Sequence, residues 1–150
     1  MRTFTSVAEV EAATGEHLGE SEWRTVTQEQ IDLFADATDD HQWIHIDPQR
    51  ATAGPFGATI AHGYLTLSLL PAFSREILAI EGVRMSINYG LDRVRFLTPV
   101  RVGSKVRSSA DLLAVTRTDG GLRITVRHTV EIDGETKPAM VAESIALIVA

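Results

Sequence analysis

The sequence predicts an α+β fold in which an antiparallel sheet wraps around a central buried helix. The segment Gly63–Ile80 has apolar side chains around most of its circumference, which is typical of a buried helix. Apolar and polar residues then alternate from Leu122 to Ile132, as in a strand with one wet face. Asp-Gly turn sequences at Asp119 and Asp133 indicate hairpins on both sides of that strand. We expect residues 1–150 to form a single domain.

The N-terminal part of the chain is predicted to hold two short elements. Ser6–Ala13 can form a short helix, and Gly15 is expected to stop it. Ser21–Val26 is predicted to be a short strand. These elements precede the first long helix of the chain.

The next helix is predicted from its capping signal. Thr27 is the expected N-cap because Gln30 follows at the capping-box spacing. The short acidic side chains of Asp39 and Asp40 compete for the backbone, so we expect the helix to end there. The following residues, 41–60, contain two prolines and two glycines and are predicted to be irregular.

The second half of the chain is predicted to consist mainly of strands. Pro71 is expected to kink or restart the buried helix that precedes them, because its ring is excluded from a helix interior. The four predicted strands are Met85–Phe96 (bent at Gly90), Val106–Thr118, Leu122–Ile132 and Lys137–Val149.

Composition and charge exclude several classes of function. The net charge of −6 argues against a nucleic-acid partner and against docking on an anionic membrane. The absence of cysteine excludes disulfides, thiolate nucleophiles and cysteine-bound metals. The N-terminus lacks the apolar core of a signal peptide, and no apolar run approaches the ~18 residues of a membrane span. We therefore expect a cytoplasmic protein.

Asp40 and His45 are the candidate catalytic pair. They follow the end of a predicted helix, and an irregular turn between them lets both side chains face one cavity. A carboxylate and an imidazole can hold one water, remove its proton and deliver a proton to carbon. On spacing alone, however, a capping aspartate and a structural histidine are the commoner interpretation. Structural roles are also predicted for other residues of these types: Asp39, His41, Asp47 and His128.

Gly63 is a candidate for stabilising negative charge. It opens the predicted buried helix, where its backbone N–H has no partner within the helix and the positive end of the dipole lies behind it. Such a donor suits the enolate oxygen that forms when water adds to an α,β-unsaturated thioester. The alternative is that glycine only permits tight packing.

Three motifs in order resemble a known family. Asp40 and His45 match the acid/base pair of a Gly-Asp-x-Asn-Pro-x-His motif, and Ile60–Gly63 matches an Ile-x-His-Gly segment. Phe96–Gly103 matches a Phe-x-x-Pro-Val-x-x-Gly segment. The family is that of the MaoC-like (R)-specific enoyl-CoA hydratases, which have the hotdog fold. The resemblance covers residues 20–149, and at 88–96 it is most similar to the nodulation-protein-N-like branch.

Three positions depart from the family motif. The glycine before the catalytic aspartate is Asp39 in this chain, and the Asn-Pro pair is Gln42-Trp43. Both acid/base groups stay in place, so we expect these changes to affect the substrate range more than the reaction.

The resemblance implies reversible hydration of a trans-2-enoyl thioester to an (R)-3-hydroxyacyl thioester in fatty-acid metabolism. It implies that Asp40 and His45 hold the water, and that the Gly63 N–H binds the thioester carbonyl. How the two acid/base groups divide the proton transfers stays open. The reaction needs no metal or redox cofactor. The expected substrate carrier is CoA, with acyl carrier protein as the alternative, and the expected assembly is a homodimer.

Further side chains are candidates for binding the substrate. Tyr64 and Asn88 could line the acyl pocket, and Arg95 or Arg93 could meet the phosphates of CoA. A solvated face of a strand is the alternative interpretation for the arginines.

Two other functions compete with the hydratase. A hotdog thioesterase would place its carboxylate on or near the central helix, where Glu76 is the only acid and lies far from Gly63. A non-catalytic acyl-binding hotdog protein would have little need for both Asp40 and His45.

Overall fold

The computed structural model describes all 150 residues and has one six-stranded sheet with helices packed against it. The elements are β1 Arg2–Phe4, α1 Val7–Ala12, β2 His17–Glu20, β3 Arg24–Thr25, α2 Gln28–Thr38, α3 Trp43–Ile46, α4 Pro48–Thr52, α5 Gly63–Ser68, α6 Leu70–Ile77, β4 Leu78–Ile80, β5 Met85–Phe96, β6 Lys105–Thr118, β7 Gly121–Ile132 and β8 Met140–Val149. No helix is long and apolar enough to cross a membrane.

The four long strands are antiparallel, as predicted, in the order β6-β7-β8-β5. Strands β2 and β3 both pair with the outer side of β6. The β6–β7 hairpin turns at Asp119 and Gly120, where Gly120 has a φ of +103° that glycine adopts without strain. The β7–β8 connection is longer than predicted, because β8 begins at Met140 instead of Lys137.

The predicted helix Gly63–Ile80 is divided into α5 and α6 in the structure. The prediction is wrong for its last three residues, Leu78–Ile80, which form a strand. Pro71 occupies the second position of α6, where its missing N–H leaves no helical bond unmade, so the predicted restart is confirmed. Beyond Ile77 the chain becomes extended, and Leu78–Ile80 pairs in parallel with Arg2–Phe4. Hydrogen bonds to this distant strand satisfy the backbone N–H and C=O groups of Leu78–Ile80, although the local apolar pattern had predicted a helix there.

Two other local predictions differ from the structure. Only Arg24 and Thr25 of the predicted strand Ser21–Val26 pair with a neighbour, and both β1 and β2 were missed. The segment 41–60 contains two short helices, α3 and α4, so it is only partly irregular. The Thr27 cap is confirmed, since its side chain accepts a hydrogen bond from the backbone N–H of Gln30.

The core consists of two apolar clusters that both include residues of α6. Phe73 belongs to the cluster beneath α2 and α5, and Ile77 belongs to the cluster beneath α1. His128 is fully buried on β7, as predicted for a core histidine, and hydrogen-bonds Ser108 through Nδ1 and Ser74 through Nε2. Burial lowers the pKa of His128 to about 4.

Strand β5 pairs only with β8, so its other edge is free. The register shifts between Asn88 and Gly90, which places a bulge beside the predicted bend. Large apolar side chains on this strand are exposed: Met85 49%, Ile87 43%, Tyr89 59% and Leu91 45%. A long free edge with exposed apolar residues is a surface suited to pairing with another strand.

Candidate active site

Asp40 is placed by the C-terminal end of α2. Asp39 ends the helix with a left-handed φ of 57°, which is the conformation that favours glycine at this position. The Asp40 N–H then donates to the carbonyl oxygen of Ala35 at 3.1 Å, and the Asp40 carbonyl accepts from Nε2 of His62 at 2.9 Å. Both main-chain groups of Asp40 are therefore held, while the residue is exposed.

His45 lies on α3 and is 6% exposed. Its Nδ1–H donates to the carbonyl oxygen of Ile60 at 2.7 Å, and its own carbonyl accepts from Nε2 of Gln28 at 2.8 Å. Because a carbonyl oxygen only accepts, the proton is on Nδ1 and the lone pair of the neutral ring is on Nε2. Burial is the main cause that lowers the pKa of His45, and the nearby His62 lowers it further. The hydrogen bond to Ile60 and the charge of Asp40 act in the opposite direction and raise this pKa.

His62 completes a group of three side chains. Asp40, His45 and His62 each offer a polar atom within 4.8 Å of the other two. The rings of His45 and His62 are stacked, with centroids 3.8 Å apart and planes 22° apart. The sequence analysis missed this contact, although the Ile-x-His-Gly motif contains the residue.

Gly63 is the first residue of α5, and its N–H makes no hydrogen bond within the protein. A Cβ at this position would lie 3.1 Å from the ring of Phe96. Tight packing therefore favours glycine here, because a larger residue would require the Phe96 ring to shift by a few tenths of an ångström. It also leaves the N–H free, so the packing and donor interpretations of Gly63 are compatible.

A cleft of about 420 Å³ begins at Gly63. Its lining is Ile60, Ala61, Gly63, Thr66, Phe96, Leu97, Thr98, Pro99, Val100 and Ala139. Asp40 and His45 are not part of this lining, but the Ile60 carbonyl binds His45. The cleft and the acid/base pair are thus joined by the segment from Ile60 to Gly63.

The other predicted binding residues lie away from the pair. Tyr64 is 69% exposed and makes an edge contact with Phe96, at 6.0 Å between centroids. Arg95 is exposed and donates to the carbonyl of Val94, and Arg93 is exposed on the same strand. Asn88 lies eight residues before Phe96 on β5, about 26 Å away at the usual rise per residue. Within one chain, none of these side chains makes a hydrogen bond to Asp40 or His45.

Trp43, which replaces the proline of the family motif, has a packing role. Its ring lies 3.0 Å from the position of a Cβ on Gly54, and the guanidinium of Arg50 lies 4.3 Å from the ring centroid. The Gln42 carbonyl accepts the His45 N–H at 3.0 Å. These contacts tie α3 to α4 and leave the His45 ring in place.

Comparisons with known proteins place the chain in a family. Residues 9–135 match the MaoC like domain family, and the chain belongs to this family. It is 56% identical over 151 residues to 3-hydroxyacyl-thioester dehydratase Z of Mycobacterium tuberculosis, with 100% of both chains covered. It is 49% identical over 146 residues to nodulation protein N of Rhizobium leguminosarum bv. viciae, with 95% of this chain and 91% of the relative covered.

A solved structure supports the fold. The (R)-hydratase PhaJ1 from Pseudomonas aeruginosa superposes with a TM-score of 0.74 at 23% identity, covering 90% of this chain and 81% of that chain. At this identity the likeness concerns the fold alone. The α+β hotdog fold expected from the sequence is confirmed.

Proposed function

We propose that the protein interconverts trans-2-enoyl thioesters and (R)-3-hydroxyacyl thioesters by adding or removing water. The observation that best supports this proposal is the position of His45, whose basic Nε2 is unprotonated in a ring held beside Asp40. A full-length relative at 56% identity is named a 3-hydroxyacyl-thioester dehydratase.

In the hydration direction, Asp40 and His45 hold one water between them. His45 Nε2 accepts a proton from the water as its oxygen bonds to C3, and the electrons of the C2–C3 double bond move toward the thioester carbonyl. Asp40 orients the water, receives the proton from His45 and delivers it to C2, so both side chains return to their starting states and the net change is addition of one water. Dehydration follows the same steps in reverse. General acid–base catalysis of this kind contributes ~10²–10⁴-fold.

The Gly63 N–H binds the thioester oxygen in this proposal. Negative charge develops on that oxygen in the enolate, and a donor placed at such a position is worth ~3–4 kcal/mol. The cleft beside Gly63 has a mostly apolar lining that suits an acyl thioester. The site is thus divided between a polar pair that binds water and a cleft that binds the substrate.

The proposal includes CoA as the substrate carrier and a cytoplasmic location, and the reaction uses no metal or redox cofactor. It assigns Arg95 to the CoA phosphates, with Tyr64 and Asn88 contacting substrate. Their exposure in one chain makes them available, and Asn88 would have to meet a site on a second copy because it is far from Gly63 along β5.

A homodimer is part of the same proposal. Strand β5 has a free edge and five exposed large apolar side chains, and a second copy of that edge can pair with it antiparallel. Such pairing joins two sheets and removes the exposed edge of each.

A thioesterase centred on the helix is disfavoured by the surroundings of Glu76. Its carboxylate binds Arg24 and accepts the N–H of Glu22 at 2.9 Å, and the hydrogen bond from Arg24 is the main cause that lowers the pKa of Glu76. This carboxylate is therefore paired with Arg24 at the surface, and it is not part of the lining of the Gly63 cleft.

The testing experiment offers crotonyl-CoA and longer trans-2-enoyl-CoAs to the protein and records two signals together. Loss of enoyl absorbance without release of free thiol is the expected result. Thiol release would assign the thioesterase, and saturable binding without either signal would assign an acyl-binding protein.

A further inference from the structure

His62 lies at the junction of the three segments that form the site. It is 2% exposed and precedes Gly63 as the N-cap of α5, although its side chain makes no capping bond. One face of its ring stacks on His45, and Phe34 contacts the ring at 4.9 Å between centroids, tilted by 55°. No other side chain of the protein contacts the ring of His45 in this way.

The tautomer of His62 follows from its bonds. Nε2 donates to the Asp40 carbonyl, so the proton is on Nε2. Nδ1 is buried and has no hydrogen-bond partner.

His62 therefore contacts both members of the pair in different ways. It holds the main chain of Asp40 through a hydrogen bond and the ring of His45 through stacking. Asp40 and His45 are joined by a short turn, which limits their distance but does not by itself fix how the two side chains face each other. Misplacement of reacting groups by about 1 Å can cost ~10²-fold in rate, so a buried ring that contacts both is placed to set that spacing.

We propose that His62 is a positioning residue, whose imidazole fixes the Asp40 main chain and the His45 ring at the separation that lets the pair share one water. This inference rests on the proposed hydratase function. His62 also acts on His45 electrostatically: Asp40 from α2 and His62 from α5 are the titratable groups that face His45, and they act on its charge in opposite directions.

Two substitutions separate the contacts of His62. His62→Phe keeps an aromatic ring against His45 but removes the donor to Asp40, and His62→Gln keeps a donor but removes the ring. We expect His62→Phe to lower kcat on crotonyl-CoA by about 10²-fold with little change in KM. We expect a smaller loss in His62→Gln, together with an acidic limb of the kcat–pH profile displaced to higher pH, because an influence that lowers the pKa of His45 is gone.

His128→Gln is the matched control, since it also replaces a buried, hydrogen-bonded histidine but lies outside the site. Each kcat is divided by the folded fraction of the variant, which circular dichroism measures. We expect the control to keep the kcat and pH profile of the wild type. Wild-type kcat and pH profile in folded His62→Phe and His62→Gln would overturn the positioning role alone. Losses that only match the loss of folded protein would overturn it as well. Absence of turnover in the wild type would instead overturn the proposed function and this inference with it.

Discussion

The Nδ1–H of His45 donates to the carbonyl oxygen of Ile60 across 2.7 Å. This bond determines which nitrogen of the ring is basic, because the carbonyl can only accept. It also links the base to the segment that ends at Gly63, the proposed donor to the substrate. The position of the base and the position of the substrate oxygen are therefore set by the same four residues of main chain.

Substitution of the acid/base pair tests the mechanism. Asp40→Asn and His45→Gln are each expected to lower kcat on crotonyl-CoA by ~10²–10⁴-fold, because each removes one acid/base group. Stopped assays of enoyl-CoA loss measure the effect, and thermal melting confirms that the variants fold. His41→Gln is the control in the same segment, since His41 is exposed and pairs with Asp36 at 2.9 Å. Near-wild-type turnover in Asp40→Asn or His45→Gln would contradict the assignment.

Asp39 offers a test of backbone conformation. Its φ of 57° is unfavourable for a residue with a side chain, and a negative charge at the C-terminal end of α2 opposes the helix dipole. We expect Asp39→Gly to raise the free energy of unfolding by about 0.5–1 kcal/mol and Asp39→Val to lower it by about 1–2 kcal/mol. Urea denaturation measures both. Equal stability of the glycine and valine variants would show that the conformation imposes no such cost.

His128 predicts how stability changes with pH. Its pKa is about 4 in the folded protein and 6.5 in the unfolded chain, so the unfolded chain binds the proton more strongly. The contribution of His128 is therefore fully present above pH 6.5 and is lost as the pH falls toward 4. The change amounts to about 3 kcal/mol. Urea denaturation at several pH values measures the free energy of unfolding. Between pH 6.5 and 4 this free energy should fall less steeply with decreasing pH in His128→Gln than in the wild type. An equally steep fall in both proteins would be inconsistent with a buried neutral histidine.

The free edge of β5 is the surface through which we expect two copies of the chain to form a dimer. A charge introduced at an exposed apolar position, as in Ile87→Asp, should be buried in the joined sheet and should dissociate the dimer. Sedimentation velocity is expected to give a dimer for the wild type and a monomer for this variant. Asp119→Asn serves as the control, since it lies in the β6–β7 turn, two strands away from the free edge. A monomeric wild type would rule out the proposed pairing.

Much of the fold follows from local patterns in the sequence. The alternation from Leu122 to Ile132 and the glycine at position 120 were enough to predict strands and a hairpin, because both signals are local. The parallel pairing of Leu78–Ile80 with Arg2–Phe4 was missed, since its partner lies more than seventy residues away and the segment continues an apolar helical pattern.

The site was predictable only in part. Asp40, His45 and Gly63 were identified through motif spacing, and the structure brings Asp40 and His45 together. The stacking of His62 on His45 depends on three segments meeting in the fold, which no local pattern encodes. The structure also places Asn88 far from Gly63 along one chain, a separation that strand geometry implies once the register is known.

The hydrogen bonds that main-chain carbonyls make around Asp40 and His45 allow neighbouring residues to change without displacing the pair. Asp40 and His45 are held largely through carbonyl oxygens of Asp40, Ile60 and His45 itself, which bond to His62, His45 and Gln28. Every residue type has a carbonyl, so intervening positions can diverge while these bonds persist. Gln42-Trp43 in place of Asn-Pro is an example, because Trp43 packs on Gly54 instead of on the pair. Divergence of this kind can reshape the surroundings of the site while the chemistry it performs stays the same.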